Sequence, residues 1–173
     1  RGGRRQGNPA SGRSARAERM DTTLSLDATN GCIAAFGIAI SAGLAASALP
    51  TVFTQARAAM PIDGTLSDCT LAHATGFVGN VELELNLRFE EEALVSASLT
   101  LTPHRFRQLD DEAFYNSVDD RYRYHQRWLR SQGIPDISQV FPWGIAGVAR
   151  DKSENVHLYV LYRKVPPPHR DAK

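Results

Sequence analysis

The sequence predicts an α+β domain in which an antiparallel sheet, built from hairpins, carries two helices packed on one of its faces. Two stretches, 81–89 and 95–101, alternate strictly between apolar and polar residues, as strands with one buried face do. The pair Asn30-Gly31 is a strong signal for a two-residue hairpin turn. Residues 117–132 have the apolar spacing of a helix. Short turns rather than long crossovers join neighbouring strands, which favours antiparallel pairing.

The chain of 173 residues, 42% hydrophobic and 23% charged, has the composition of a globular protein. Its first nineteen residues differ, because they hold six arginines and one acid but no Leu, Ile, Val or aromatic residue. They form either an Arg/Gly-type arm for RNA or phosphate or a leader without function, and the lack of aromatics favours the leader. We expect a disordered basic leader over 1–19, one domain over 20–165 and an extended Pro-rich tail over 166–173.

Charge is distributed unevenly along the chain, whose formal net charge is +1. Between Met20 and Arg163 there are seventeen acidic and eleven basic residues, so the expected domain is acidic. An acidic domain has no general attraction for nucleic acid, which we do not expect as a partner. A basic protein partner is favoured, because acidic faces steer basic molecules toward them.

The uncharged stretch 32–49 decides the expected location of the protein. In length it fits a signal sequence or a short membrane anchor. Its many small residues, the acids Asp21 and Asp27 ahead of it and the Asn30-Gly31 turn favour a hairpin and a cytoplasmic location. An exported or membrane-associated envelope protein is the alternative. The predicted strand after the turn has an apolar face of Cys32, Ala34, Phe36, Ile38 and Ile40.

A first helix is predicted after this hairpin, capped by Ser47 and accommodating Pro50 in its first turn. Its apolar side consists of Leu49, Val52, Phe53, Ala56 and Met60. Residues 65–71 are predicted as a short extended piece, and Gly76 and Gly79 indicate a loop after it.

The two alternating stretches form a central hairpin. Glu90, Glu91 and Glu92 predict a solvated turn between its strands, and Pro103 ends the second strand. An irregular link follows, with a helical turn around 110–115.

The second helix is predicted to begin at a capping box formed by Ser117 and Asp120 and to run through Gln132, with Gly133 ending it. Two final strands are predicted at 145–148 and 156–162. The inward stripe of the helix consists of Val118, Tyr122, His125, Trp128 and Leu129.

The sequence contains no recognisable motif for catalysis, a cofactor or a metal. Neither Gly-rich phosphate-binding fingerprint, nor GxSxG, nor HExxH occurs. Cys32 and Cys69 are predicted to be small buried side chains, both unbridged, in a reducing compartment. We therefore predict no catalytic, cofactor-binding or metal-binding residues. His125 is either a structural histidine or the general base of a small hydrolase, and the lack of a nucleophile motif favours the first.

Residues 122–130 are the one place where aromatic residues and arginines interleave. The outward positions Arg123, Tyr124 and Arg127 are candidates for binding a partner, and a solvated helix face is the alternative. Trp143, in the string Phe141-Pro-Trp-Gly144, is the fourth candidate, for which a core anchor is the alternative.

Residues 117–163 resemble small uncharacterised bacterial α+β proteins, including immunity-like ones. The likeness rests on Trp128-Leu129, Gly133-Ile-Pro135, Phe141-Pro-Trp-Gly144 and the strand from Val156 to Tyr162. Those proteins have no named activity, so the resemblance implies a fold type and transfers no functional residue. Together with the acidic composition it favours a non-enzymatic, immunity-like module that binds and neutralises a protein partner.

Overall fold

The computed structural model describes residues 19–164. The predicted tail and all of the predicted leader except Arg19 lie outside the described residues. Within residues 19–164 there are two α-helices and ten strands. In chain order these are β1 (Leu24–Leu26), β2 (Ile33–Ala35), β3 (Ile38–Ile40), β4 (Thr54–Ile62), β5 (Thr65–Val78), β6 (Val81–Glu90), β7 (Ala93–Thr102), α1 (Asp111–Asn116), α2 (Val118–Ser131), β8 (Ser138–Phe141), β9 (Gly144–Arg150) and β10 (Val156–Tyr162).

The ten strands form two antiparallel sheets, which confirms the predicted α+β class. The small sheet has the order β1-β2-β3, and the large sheet has the order β4-β5-β6-β7-β10-β9-β8. Hairpins join most neighbours in the large sheet. The exception is the pair β7 and β10, because β10 is the last strand in the chain and lies between β7 and β9. After α2 the chain therefore enters the sheet at its outer edge and returns toward the middle.

A single hydrophobic cluster joins the two sheets and α2. The alternation predicted for the central hairpin is confirmed, because Leu83, Leu85 and Leu87 of β6 are buried and Glu84 between them is exposed. Leu129 of α2 belongs to the same cluster. The short helix α1 has no buried residue. The small sheet contributes Leu26, Ile33, Ala35 and Ile40.

Hydrogen bonds to three side chains, two from the large sheet and one from the end of α2, fasten the small sheet to the rest of the domain. Trp143 Nε1 donates to the Ala28 carbonyl at 2.9 Å, and the Tyr162 hydroxyl donates to the Gly31 carbonyl at 2.8 Å. Burial raises the pKa of Tyr162, so its hydroxyl keeps the proton that it donates. The Leu26 N–H donates to Gln132 Oε1 at 2.9 Å. The two sheets thus share polar contacts as well as a core.

The helix predicted from Ser47 is wrong. Residues Ala46–Ala48 form a short 3₁₀ turn, and Thr54–Ile62 are strand β4. The physical reason is the pair Asp63-Gly64, whose φ angles of 49° and 78° make a tight hairpin turn. Such a turn requires strands on both sides, and every residue of β4 is paired with one of β5.

The loop predicted around Gly76 is also wrong, because β5 continues to Val78. Gly76 is a buried strand residue at which the backbone approaches its neighbours closely. A Cβ atom there would lie 2.8 Å from the Phe36 ring and 2.9 Å from the Met20 carbonyl oxygen. The glycine that indicated a turn is required by packing instead.

The Asn30-Gly31 hairpin is present, but the strand predicted after it is divided into two. Phe36 and Gly37 have positive φ angles of 51° and 76° and form a second turn, which separates β2 from β3. This turn breaks the period of two, so the predicted apolar face is wrong in its first part, where Ile33 and Ala35 are buried instead of Cys32 and Ala34. After the turn Ile40 is buried as predicted.

Helix α2 is present, whereas its predicted capping box is wrong. Ser117 has a helical backbone between α1 and α2. Its hydroxyl donates to the Phe114 carbonyl and accepts from the side chain of Arg121, but it accepts from no backbone N–H of α2. The carboxylate that caps a helix is Asp110, which accepts from the Ala113 N–H at the start of α1. Gly133 ends α2 with φ of 88°, as predicted.

Candidate functional site

The three candidates on α2 lie on one side of that helix. Arg123 and Arg127 are exposed, and Arg123 pairs with Asp120 at 3.5 Å. Tyr124 is half-buried, because its ring meets the Phe106 ring edge-on at 6.4 Å. The Arg105 guanidinium lies 5.6 Å from the same ring. The solvent-exposed part of this face therefore consists of two arginines, spaced by one helical turn.

Trp143 lies away from that face, at the turn between β8 and β9. Its ring stacks on Phe141 at 4.8 Å and covers Gly31, where a Cβ atom would collide with it. With its indole N–H bonded to Ala28, the side chain is half-buried between the two sheets. None of these contacts involves Arg123, Tyr124 or Arg127, so they do not bring the four candidates together.

His125 is 1% exposed, and backbone groups bind both of its ring nitrogens. Nδ1 lies 2.7 Å from the Arg121 carbonyl oxygen, and Nε2 accepts from the Leu101 N–H at 3.0 Å. Burial, together with the nearby charges of His157 and Arg121, lowers its pKa to about 4 despite the bond to the carbonyl. The ring is therefore neutral at pH 7, with its proton on Nδ1.

Arg121 is a buried residue that sequence reasoning missed. Its guanidinium donates to the carbonyls of Phe114 and Glu154, each at 2.9 Å, and it lies 4.0 Å from the centre of the Phe114 ring. It thereby connects α1, α2 and the turn before β10. Its burial could be predicted only from its position four residues before His125, on the same side of the helix. An arginine is rarely assigned to a core, so this position was not used in the prediction.

One end of the large sheet carries a projecting hairpin, which we call the arm and define as residues 59–68. Strand β6 pairs with β5 only from Cys69 onward, so the arm has no third strand beside it. Its strands extend about 13 Å past the sheet at ~3.3 Å per residue. Leu66 on the arm is 71% exposed. The arm is a two-stranded ribbon rather than part of the core.

Four carboxylates lie on the arm or beside its base. Asp63 and Asp68 lie on it, and Glu91 and Glu92 form the neighbouring turn between β6 and β7; all four are exposed. Asp68, Glu91 and Glu92 line one hollow of about 250 Å³ together with Arg57. The sequence indicated the acidic turn, but it placed Asp63 and Asp68 in no site.

Glu90 is the one member of the predicted solvated turn that is buried, so that part of the prediction is wrong. Its carboxylate accepts from Lys164 Nζ at 3.0 Å and lies 3.6 Å from Arg88. The hydrogen bond and charge of Glu90 raise the pKa of Lys164. Because Glu90 is neutralised from both sides, the carboxylates that remain free at this end are those on the arm and in the turn.

The outer edge of β4 is the longest unpaired strand edge in the described part of the chain. β4 has nine residues and pairs only with β5, whereas β8 at the other edge has four. Six of the nine residues are exposed. Unpaired N–H and C=O groups along such an edge can bind another extended segment.

Other kinds of site are not found among residues 19–164. They contain no group of three or more His, Cys, Asp or Glu residues placed to hold a metal ion. Cys32 is half-buried and Cys69 is buried, and both are free thiols.

Among the same residues, no helix combines the length and the apolar character needed to cross a membrane. The stretch 32–49 forms β2, β3 and the 3₁₀ turn, with Ile33, Ile40 and Ala46 in the core.

No family model matches this chain, and neither does any curated protein or solved structure.

Proposed function

We propose that this protein is a non-enzymatic, immunity-like protein-binding module whose partner adds an extended basic segment to the free edge of β4. The observation that carries the proposal is the nine-residue unpaired edge that continues into the arm. Strand addition at an exposed edge is a common mode of peptide recognition, in which backbone hydrogen bonds give affinity and side chains give specificity.

The edge of β4 has few of the features that block strand pairing. Proteins commonly protect such edges with prolines, inward-pointing charges or very short strands. In β4 only Pro61, next to the turn of the arm, lacks an N–H, and Arg57 is the only charged residue. Every residue of 54–60 has a backbone N–H, so on the side that faces away from β5 each donor and acceptor is available for another strand. This supports the assignment of 54–60 as the docking edge.

The charge at this end supports a basic partner. Asp63 and Asp68 on the arm and Glu91 and Glu92 beside it are exposed, and Lys164 is occupied by Glu90. A lysine or arginine on the added segment would meet these carboxylates without displacing an existing ion pair. Complementary charge of this kind raises the association rate and selects among partners more than it adds affinity.

The proposal is tested by panning a displayed library of random nine-residue peptides on the full chain. Selected peptides should contain alternating Lys or Arg residues and should protect the amides of residues 54–60 from hydrogen exchange. The central variant replaces residues 59–68 by Asn-Gly, which joins the cross-strand pair Ala58 and Cys69 through a favoured two-residue turn. It keeps the part of the hairpin that adjoins β6 and removes four of the nine residues of the edge, so it should lose at least about tenfold in affinity.

Charge is tested separately from the edge. Asp63→Asn with Asp68→Asn should slow association and weaken its dependence on salt, while Asp136→Asn, an exposed acid after α2, should change neither. The proposal is wrong if the arm-deleted chain binds the selected peptides as tightly as the natural chain. It is equally wrong if the protected amides lie on α2.

A further inference from the structure

The face of the large sheet opposite the core carries two rows of side chains that cross all seven strands. The register places Ala56, Leu71, Arg88, Ser96, Leu161, Ile145 and Val140 in one row. The next row is Thr54, His73, Asn86, Ser98, Tyr159, Gly147 and Ser138. None of these residues belongs to the hydrophobic cluster of the core. We call this surface the outer face.

The two halves of the outer face have opposite shapes. On the β4–β7 half lies a hollow of about 380 Å³, lined by Ala56, Leu71, His73 and Ser96 among others. On the β10–β8 half stand exposed apolar side chains instead, with Leu161 41% and Val140 65% exposed. The central strand β7 separates the hollow from these projecting side chains.

We propose that a second copy of this chain covers the outer face, related by a two-fold axis that runs parallel to β7. A rotation about that axis exchanges β4 with β8, β5 with β9 and β6 with β10, because β7 is the fourth of seven strands. It therefore carries the projecting side chains of each copy over the hollow of the other. Self-complementarity of this kind is what a two-fold interface requires.

The rows stay in register across such an interface. Val140 of one copy faces Ala56 of the other, and Ile145 faces Leu71. Ser96 lies on the axis and faces its own symmetry mate. Large apolar side chains thus meet small or apolar ones, as in the packing of two sheets face to face.

In this arrangement no charged side chain of one copy faces a side chain of the same charge on the other copy. Arg88 faces Leu161 and keeps its own carboxylate partner Glu90, 3.6 Å away. Glu84, two residues before Asn86 on the same face, faces the strand position of His157. Two copies therefore meet without the electrostatic repulsion that excludes wrong partners.

The available area indicates a dimer that dissociates on dilution. Beside the two rows lies a shorter third one, which holds Thr75, Glu84, Thr100, His157 and Ala149. With strands about 4.8 Å apart, the three rows together give roughly 600 Å² per copy. The total of ~1,200 Å² is at the lower limit for specific interfaces. Because sheets twist, contact is closest near the axis, around Ser96.

Cross-linking of single cysteines tests the axis directly. Ser96→Cys should be linked to its symmetry mate by a short bismaleimide that spans the ~10 Å between packed sheets. Ala56→Cys and Val140→Cys should each fail alone and link only when the two proteins are mixed. The natural chain, with Cys69 buried and Cys32 half-buried, and Leu66→Cys on the arm are the controls and should remain unlinked.

Sedimentation over a concentration series tests the dimer itself. The natural chain should pass from monomer to dimer as concentration rises, and Leu161→Arg and Ala56→Arg should remain monomeric with unchanged circular dichroism. Leu66→Arg should dimerise normally. A natural chain that stays monomeric at millimolar concentration overturns the proposal, as does a dimer that Leu66→Arg dissociates and Leu161→Arg does not. Neither result bears on the free edge of β4, which is tested by peptide binding.

Discussion

Leu101, near the end of β7, shows how one side chain completes a backbone hydrogen-bond pattern. β10 pairs with β7 only from Ser96 to Leu99, so the Leu101 N–H lies beyond the strand that would otherwise bind it. His125 Nε2 accepts that hydrogen bond from α2, 3.0 Å away. A buried N–H without a partner is costly, which explains why a histidine occupies the core.

Because of this histidine, the free energy of unfolding is expected to decrease as the pH is lowered from 6.5 to 4. The pKa of His125 is about 4 in the folded protein and about 6.5 in the unfolded chain. Between these values the unfolded state binds more protons, so on the order of 3 kcal/mol of stability, complete above pH 6.5, is lost as the pH falls to 4. Urea unfolding at a series of pH values measures the loss.

His125→Gln isolates this contribution, because glutamine does not titrate in this range. The variant should be less stable than the natural chain at pH 7 by about 1–3 kcal/mol, and the difference should shrink toward pH 4. A difference that stays constant across this range would show that His125 is not the titrating group.

The residues of α2 show what sequence alone could predict at this scale. His125 and Leu129 were placed correctly in the buried stripe, since apolar spacing identifies the inward face of a helix. Arg121 was not, because its burial depends on the carbonyls of Phe114 and Glu154, which come from elsewhere in the chain. The exposed carboxylates of the arm were missed for the same reason, as their neighbours are set by the sheet.

Among the elements, the β6–β7 hairpin has a turn that its residues do not favour. Glu91 and Glu92 both have positive φ angles, 49° and 66°, a conformation that Asn-Gly adopts readily and glutamate does not. Replacing the pair by Asn-Gly should raise the free energy of unfolding by about 1 kcal/mol, measured by urea denaturation.

Glu91→Gln with Glu92→Gln is the matched control for this turn. It removes the same two charges but keeps the unfavourable backbone, so its gain should be much smaller than that of Asn-Gly. Equal gains would attribute the effect to charge repulsion among the acids rather than to the backbone.

The elements that were predicted wrongly share a physical cause. Short apolar runs such as 47–60 fit both a helix and a strand, and the partner strand decides between them. A glycine in the sequence is likewise compatible with two kinds of structure. Gly31 and Gly64 form turns, whereas Gly76 permits close packing under Phe36. The long alternating strand β6 and the helix α2 were predicted correctly because each displays one period over many residues.

For the whole molecule, we expect the two sheets to unfold together. Trp143, Tyr162 and Gln132 bind the backbone of the small sheet from the large sheet and from the end of α2. Tryptophan fluorescence, which reports on Trp128 in α2 and on Trp143 at the junction, and far-ultraviolet circular dichroism should therefore give one coincident urea transition.

Tyr162→Phe tests the junction, since it leaves the buried Gly31 carbonyl without its 2.8 Å partner. It should lower the single transition by about 1–3 kcal/mol. Tyr159→Phe, whose hydroxyl bonds the exposed Ser138, should cost much less. Two separate transitions, or equal costs for the two variants, would contradict a shared folding unit.

The position of β10 has a consequence for the protein as it is synthesised. β4 to β7 leave the ribosome well before β10, the last of the ten strands, which covers the inner edge of β7. Until residues 156–162 emerge, β7 is an open edge of the nascent chain and the core lacks the side chains of β10. Completion of the sheet is therefore a late event in translation, and any chain terminated before β10 should aggregate through β7 or require a chaperone.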